Sequence, residues 1–217
     1  MQLNVLQSIK PSVQVGVSVA RMDDASDNLK NGQKIPAQIT TERLVLRPYQ
    51  FTDVTEMHAY LQDADMGRYL EGSGALLTRE TVQAIIAGHI LVDQNQRHVW
   101  AVTLNDLPVG AITLNFLKAH RVAEIGYHIK KALWYKGYAS EAAKAVVDAA
   151  FACCPDLQRV QAGIHPDNIG SISVVKKLGM KHEGTLRAFA FIRGHAADEA
   201  VYAVLRNEYK DVPDAQR

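Results

Sequence analysis

Cysteine is scarce in this chain of 217 residues, and the two present, Cys153 and Cys154, are adjacent. Neighbours in a helical pattern cannot staple distant segments, and no CxxC or Cys/His cluster offers a zinc site. A reduced, cytoplasmic protein is expected. Excess charge of one sign is also missing: 24 Lys and Arg stand against 23 Asp and Glu, a formal net charge of +1. No global field steers the chain towards nucleic acid or an anionic membrane, so neither is expected as a partner, and any anion site has to be local. There is no apolar run of about eighteen residues or more and no basic start leading into an apolar stretch, which argues against a membrane span and a secretory signal. The eight histidines fall in no HExxH or other ligand spacing, and no metal is expected. What the chain does have is 47% hydrophobic and 22% charged residues, enough to bury the core of one domain.

Along the chain, Val13, Val15, Val17 and Val19 alternate like a half-buried strand and give way to a polar stretch over residues 23–34. Residues 1–40 therefore read as an N-terminal extension holding one strand or a loosely held arm, and residues 41–217 as the folded domain. Leu44, Val45 and Leu46 suggest a strand, and Thr52 with Asp53 and Glu56 predicts a capping-box start to a helix ending near Leu61. Thr78 can cap a second helix in which Val82, Ile85, Ile86 and Ile90 or Leu91 recur on one face. Between them, Glu71-Gly72-Ser73-Gly74 reads as a turn or a substrate-side rim. Strands follow over 98–104, 109–116 and 122–129, with a turn at Asn105-Asp106-Leu107-Pro108, as an antiparallel meander. Then come a helix over 140–152, a strand over 160–164, a helix over 168–178 ended by Gly179, and strands over 181–186 and 200–205. This order predicts an α/β class with a mixed, mostly antiparallel central sheet carrying helices on its faces.

One segment speaks of chemistry. Trp134-Tyr135-Lys136-Gly137-Tyr138-Ala139-Ser140-Glu141-Ala142 joins a strand to a helix through a glycine turn. The first amides of a helix have no intrahelical acceptor and sit at the positive end of its dipole, so a phosphate there gains hydrogen bonds and favourable charge together. Gly137 and Ala139 keep side chains out of the way, and Lys136 adds a point charge. The same segment also reads as a plain strand-to-helix connection. It matches neither the GxxxxGK[ST] loop nor the GxGxxG turn.

These residues resemble the GNAT superfamily of acetyl-coenzyme A dependent N-acetyltransferases, and more closely its RimJ/RimL-like branch. Thr41-Glu42-Arg43-Leu44-Val45-Leu46-Arg47 is similar to that branch's opening strand, and Ile125-Gly126-Tyr127-His128-Ile129 with residues 134–142 to its fourth strand and cofactor turn. Asn168, Ser171, Val174, Lys177, Leu178 and Gly179 fall at the spacing of its N-x-x-S-x-x-V-x-x-K-L-G motif, followed by Glu183-Gly184. The likeness spans residues 41–209. It implies a sheet splayed between its fourth and fifth strands, with the pantetheine arm lying along the fourth as a pseudo-strand. Ile129 would then offer main-chain hydrogen bonds to pantetheine. Tyr135, Lys136, Gly137, Tyr138, Ala139 and Ser140 would hold the pyrophosphate, and Asn168 would contact the arm or cap its helix. Gly126, inside a strand, suggests a bulge or close approach by another backbone.

Acetyl transfer needs a neutral amine, a stabilised oxyanion and a thiolate that leaves. An α-amine with a reference pKa of about 7.7–8.0 is partly neutral at pH 7, whereas a lysine at about 10.4 is almost wholly charged. Glu124, on the fourth strand, is the first candidate base, against the reading of a solvated strand charge. Ser171 matches the serine with which the RimL-like branch protonates the departing sulfur. The tyrosine used elsewhere in the superfamily is replaced by Val175, and a glutamate base of some RimL-like enzymes by Ala190. Asp198 and His128 are the alternatives. The resemblance implies direct acetyl transfer from acetyl-CoA to a primary amine, either a protein N-terminus or a small molecule, by a monomer or homodimer. A non-catalytic acyl-CoA sensor is the alternative that Ala190 and Val175 suggest.

Overall fold

Alternating burial along the central strands decides the architecture. In the computed structural model, which describes residues 34–69, 77–117 and 121–210, Trp100 and Val102 of one strand point into a core shared with two helices. Val99 and Ala101 of the same strand point into a second core beneath two others. A strand apolar on both sides must be covered on both, so the helices lie on both faces of the sheet. The alternating valines at 13–19 and the Glu71–Gly74 turn lie outside the described residues.

The elements in order are β1 (Ile39–Thr40), β2 (Val45–Arg47), α1 (Val54–Leu61), α2 (Arg79–Ile90), β3 (Arg97–Leu104), β4 (Leu107–Leu117) and β5 (Val122–Ile129). They continue as α3 (Tyr138–Cys153), β6 (Arg159–Ile164), α4 (Ile169–Lys177), β7 (Lys181–Ile192), β8 (His195–Leu205) and a short α5 (Arg206–Lys210). The sheet order is β1-β2-β3-β4-β5-β6-β8-β7. All neighbours are antiparallel except β5 and β6. Asn105 and Asp106, at φ 49° and 65°, make the two-residue turn between β3 and β4 in the doubly left-handed conformation that matches strand twist.

Helix α3 buries Ala142, Ala143, Val146, Val147 and Ala150 against the larger core, the three-and-four spacing of an amphipathic stripe. Small side chains let this helix lie close to the sheet. Thr78 caps α2, its Oγ1 accepting from Thr81 N at 3.2 Å. Val82 and Ile86 are buried as expected, but Ile90 and Leu91 are exposed, because the buried stripe ends a turn before the helix does.

Three local expectations are corrected. The cap of the first helix is at Gln50, not Thr52: a 3-10 turn over Phe51–Asp53 leads into α1, and Gln50 N donates to Asp53 Oδ2 at 2.8 Å. Asp53 is buried, and Arg47 grips it with two bonds of 2.9 and 2.8 Å, so the carboxylate serves an ion pair as well as the cap. Of the two readings of Gly126, the bulge is excluded, since the β4–β5 register runs unbroken from Gly110↔Ile129 to Leu117↔Val122. The last two strands are far longer than their apolar runs, because β7 and β8 extend into a hairpin closed by Arg193 and Gly194 at φ 51° and 84°. Most of β7 is exposed, so its outer part carries no hydrophobic alternation to betray it.

Candidate active site

Strands β5 and β6 pair at three positions only, Val122↔Arg159, Ala123↔Val160 and Glu124↔Gln161. Beyond Glu124 the ladder stops, although β5 continues to Ile129 and β6 to Ile164. The sheet therefore parts between the fourth and fifth strands counted from β2. Lys130 N donates to Val109 O on β4 at 2.7 Å. In an antiparallel ladder the residues between bonded ones turn their amide and carbonyl to the other side, so Ile129 and Tyr127 present theirs to the gap. The Ile129 carbonyl accepts the Trp134 indole N–H at 2.6 Å, and its amide faces an open edge.

The chain leaves β5 through a tight turn. Tyr135 has φ +60° and Gly137 φ +85°, two left-handed residues in three. Glycine tolerates this freely, and for tyrosine it is a strained position of the kind found at functional turns. Tyr135 is 92% exposed, so no packing of its ring explains it. Glu141 N donates to Gly137 O at 3.0 Å, the first bond of α3. The amides of Tyr138, Ala139 and Ser140 therefore precede any intrahelical acceptor.

Arg43 converges on this turn from the start of β2. Its Nη1 donates to Lys136 O at 3.0 Å and its Nε to Glu141 Oε2 at 2.6 Å, and its guanidinium lies 4.3 Å from the Tyr138 ring centroid. A Cβ on Gly137 would stand 3.3 Å from Arg43 Nη2. Glu141 Oε1 accepts from Thr41 Oγ1 at 2.5 Å and from Arg43 N at 2.8 Å. Partial burial opposes the Glu141 charge, but these hydrogen bonds and the guanidinium outweigh it and hold the carboxyl below its ordinary 4.5. Glu141 lies in the turn segment legible from sequence, but its pairing with Arg43 was not foreseen. Their separation by 98 positions hides it, and the only signal was Arg43's place in the opening motif.

A cleft of about 900 Å³ opens between the starts of α3 and α4, lined among others by Gly137, Ser140 and Lys144 on one side and Ile172, Ser173 and Lys176 on the other. The lining carries three cations, Lys144, Lys176 and Lys177, against two carboxylates, Glu42 and Glu141, and Lys144 is paired with Asp148 at 2.6 Å, so any anion attraction in a chain of almost no net charge is local. Asn168 caps α4, its Oδ1 accepting from Ser171 N at 3.1 Å. Ser171 is half-buried in the first turn of α4, and its carbonyl accepts from Tyr127 Oη at 3.0 Å. Tyr127, missed from sequence, thus ties β5 to α4 across the gap, and burial pushes its hydroxyl pKa up.

Glu124 stands at the closed end of the gap, half-buried, with Gln161 Nε2 donating to its Oε2 at 3.0 Å. The alternatives fare differently. His128 Nε2 lies 3.2 Å from Tyr60 Oη of α1, and burial pushes the imidazole down to about 4, leaving a weak base. Asp198 Oδ1 accepts from Ala188 N at 2.9 Å, where φ is +53° in the β7 bulge, so it serves the turn. Ala190 is buried opposite Ala197. Cys153 is buried at the end of α3, and burial, with the neighbouring Cys153 adding to it, pushes the Cys154 thiol up to about 11. Cys154 is therefore no thiolate nucleophile at neutral pH.

A parted sheet beside a helix start with unpaired amides is able to take an extended, phosphate-bearing ligand along a strand edge. Residues 43–181 match the family described as Acetyltransferase (GNAT) domain. A curated relative, the uncharacterized N-acetyltransferase YnaD of Bacillus subtilis, is 31% identical over 172 residues, covering 79% of this chain and 98% of that protein. A GNAT-family acetyltransferase structure from Bacillus anthracis superposes with a TM-score of 0.69 at 29% identity, over 79% of this chain and 99% of the other. Mycobacterium smegmatis RimJ, solved in complex with CoA-disulfide, shares the fold with a TM-score of 0.74 at 20% identity, over 82% and 91%. The chain belongs to the GNAT acetyltransferase family, and it is an acyltransferase.

Proposed function

We propose that the protein transfers the acetyl group of acetyl-CoA directly to a primary amine, on a protein N-terminus or a small molecule. The observation that carries this is the coincidence of the β5–β6 parting with the amides of Tyr138, Ala139 and Ser140. One site takes an extended thioester arm and the other a diphosphate, and they are joined by a single turn. Acetyl-CoA has both parts. Residues Tyr135 to Ser140 hold the pyrophosphate, with Arg43 and Lys136 supplying charge. The Ile129 amide pairs with the pantetheine arm, and Asn168 keeps α4 in place beside it. Residues 41–217 carry the transferase and residues 1–40 are an extension.

In this reading the acetyl-CoA thioester supplies an activated acyl carbon, and the chain's own groups manage protons. Glu124 takes the amine proton directly or through water, and its bond to Gln161 aims it along the gap. Ser171, at the α4 start, gives a proton to the departing sulfur. With Cys154 raised to about 11, no covalent acyl-enzyme is invoked. The protein incubated with acetyl-CoA and a panel of peptides and small amines should release free thiol in step with amine consumption. A well-folded sample that binds no acetyl-CoA removes the proposal.

A further inference from the structure

The β5–β6 pairing advances in step, so the register that sets Glu124 against Gln161 sets Gly126 against Gly163 two residues on, across the gap. By the period of a strand, Glu124 and Gly126 share a face, as do Gln161 and Gly163. That face is turned away from α3, because Ala123, Ile125, Val160 and Ala162 pack into the core on the other side. The opening is thus flanked on the acceptor side by two positions without side chains. On β8, Ala200, Tyr202 and Val204 also point into the α3 core, so Glu199 stands on the same face as the two glycines. A Cβ on Gly163 would lie 2.5 and 2.6 Å from the two Glu199 carboxylate oxygens. The carboxylate occupies the place that any other residue at 163 would fill, and so reaches from β8 across β6 towards the gap. Its strand neighbour on that face, Ala197, pairs with the buried Ala190.

We propose that Glu199 receives the acceptor: its carboxylate binds the ammonium form of the incoming primary amine and sets the nitrogen at the gap, which makes cationic amines the substrate class. The assignment rests on the acetyltransferase reading above. A carboxylate on one wall, with Glu124 at the closed end, selects a positive head group and orients it before its proton is lost. Gly163 is the permissive partner, since even a methyl group there displaces the carboxylate.

The experiment compares the full-length wild type with Glu199→Gln, Gly163→Ala and the double variant. It follows thiol release against acetyl-CoA and primary amines, with thermal melting as the check on folding. Glu199→Gln should raise the KM for the amine about ten-fold or more, as for loss of one charge-assisted contact, while leaving acetyl-CoA affinity within two-fold. Gly163→Ala should reproduce the effect, and the double variant should be no worse than either, because both remove the same carboxylate from the same place. The ratio of wild-type to Glu199→Gln kcat/KM should fall as pH rises through the pKa of the amine, since the neutral amine gains less from a carboxylate. That pH signature separates a binding role from a structural one. If a folded Gly163→Ala or Glu199→Gln protein keeps the wild-type amine KM, or its loss is the same at all pH, the inference fails while the transferase reading stands. If the wild type acetylates no amine, both fail.

Discussion

Replacing Gly137 with valine tests the diphosphate cradle at its narrowest point, and three consequences are separable. Gly137 has φ +85°, and forcing an L residue into that region costs about 1–2 kcal/mol, which in a chain of this size lowers Tm by roughly 2–8 °C. The added Cβ comes 3.3 Å from Arg43 Nη2, so the guanidinium gives way and strains its 3.0 Å bond to Lys136 O. The two γ-methyls then crowd the amides of Tyr138, Ala139 and Ser140, to which the proposal assigns the phosphates. Losing about two charge-assisted hydrogen bonds at roughly 1.5–3 kcal/mol each weakens CoA binding by about 100-fold or more. Gly137→Ala shares the backbone strain but lacks the methyls, so its Tm should fall comparably while its affinity falls much less. Calorimetric titration with CoA reads the affinities and differential scanning fluorimetry the melting. A folded Gly137→Val protein that binds CoA as tightly as wild type would refute the cradle. Equal weakening in both variants would assign the effect to strain alone.

Two further outcomes concern pH. Glu141 has a folded pKa held below its ordinary 4.5, so its bonds to Thr41 and Arg43 contribute stability that is fully present above 4.5 and is lost as pH falls through the folded value. Glu141→Gln should therefore melt about 2–4 °C below wild type at pH 7, as for about 1 kcal/mol, and the difference should shrink below pH 4.5; a constant difference down to pH 3 would contradict the assignment. His128 behaves as a buried imidazole: its pKa falls from 6.5 to about 4 on folding, so the unfolded chain takes up more protons in that interval and stability declines on acidification between pH 6.5 and 4. His128→Asn should flatten that part of the Tm–pH curve, and an unchanged slope would mean that the ring is protonated in the folded protein.

Local patterns were legible wherever a segment's periodicity reports its own surroundings. The β3–β4–β5 meander, the stripe of α3, the Thr78 cap and the Asn168 cap each follow from residues within a turn or two of one another. The turn at Gly137 was legible for the same reason, because a glycine between a strand and a helix dictates exposed amides without help from elsewhere. The cap at Gln50 was misread because Asp53 answers to Arg47 as well as to its own helix. The length of β7 was missed because an exposed edge strand carries no alternation, and its bulge at Ala188 breaks what pattern there is.

By itself the sequence determined the element types, the alternation that demands helices on both faces, and the helix start able to accept a phosphate. These depend on local stereochemistry and on which side chains avoid water. Only the tertiary structure decided that β5 and β6 part after Glu124, that Arg43 and Glu141 lock the turn across 98 residues, and that Glu199 fills the space left by Gly163. Each of these depends on the order and register of strands brought together from distant parts of the chain. Those relations are set by the packing of the whole core, and no residue carries them in its immediate neighbours.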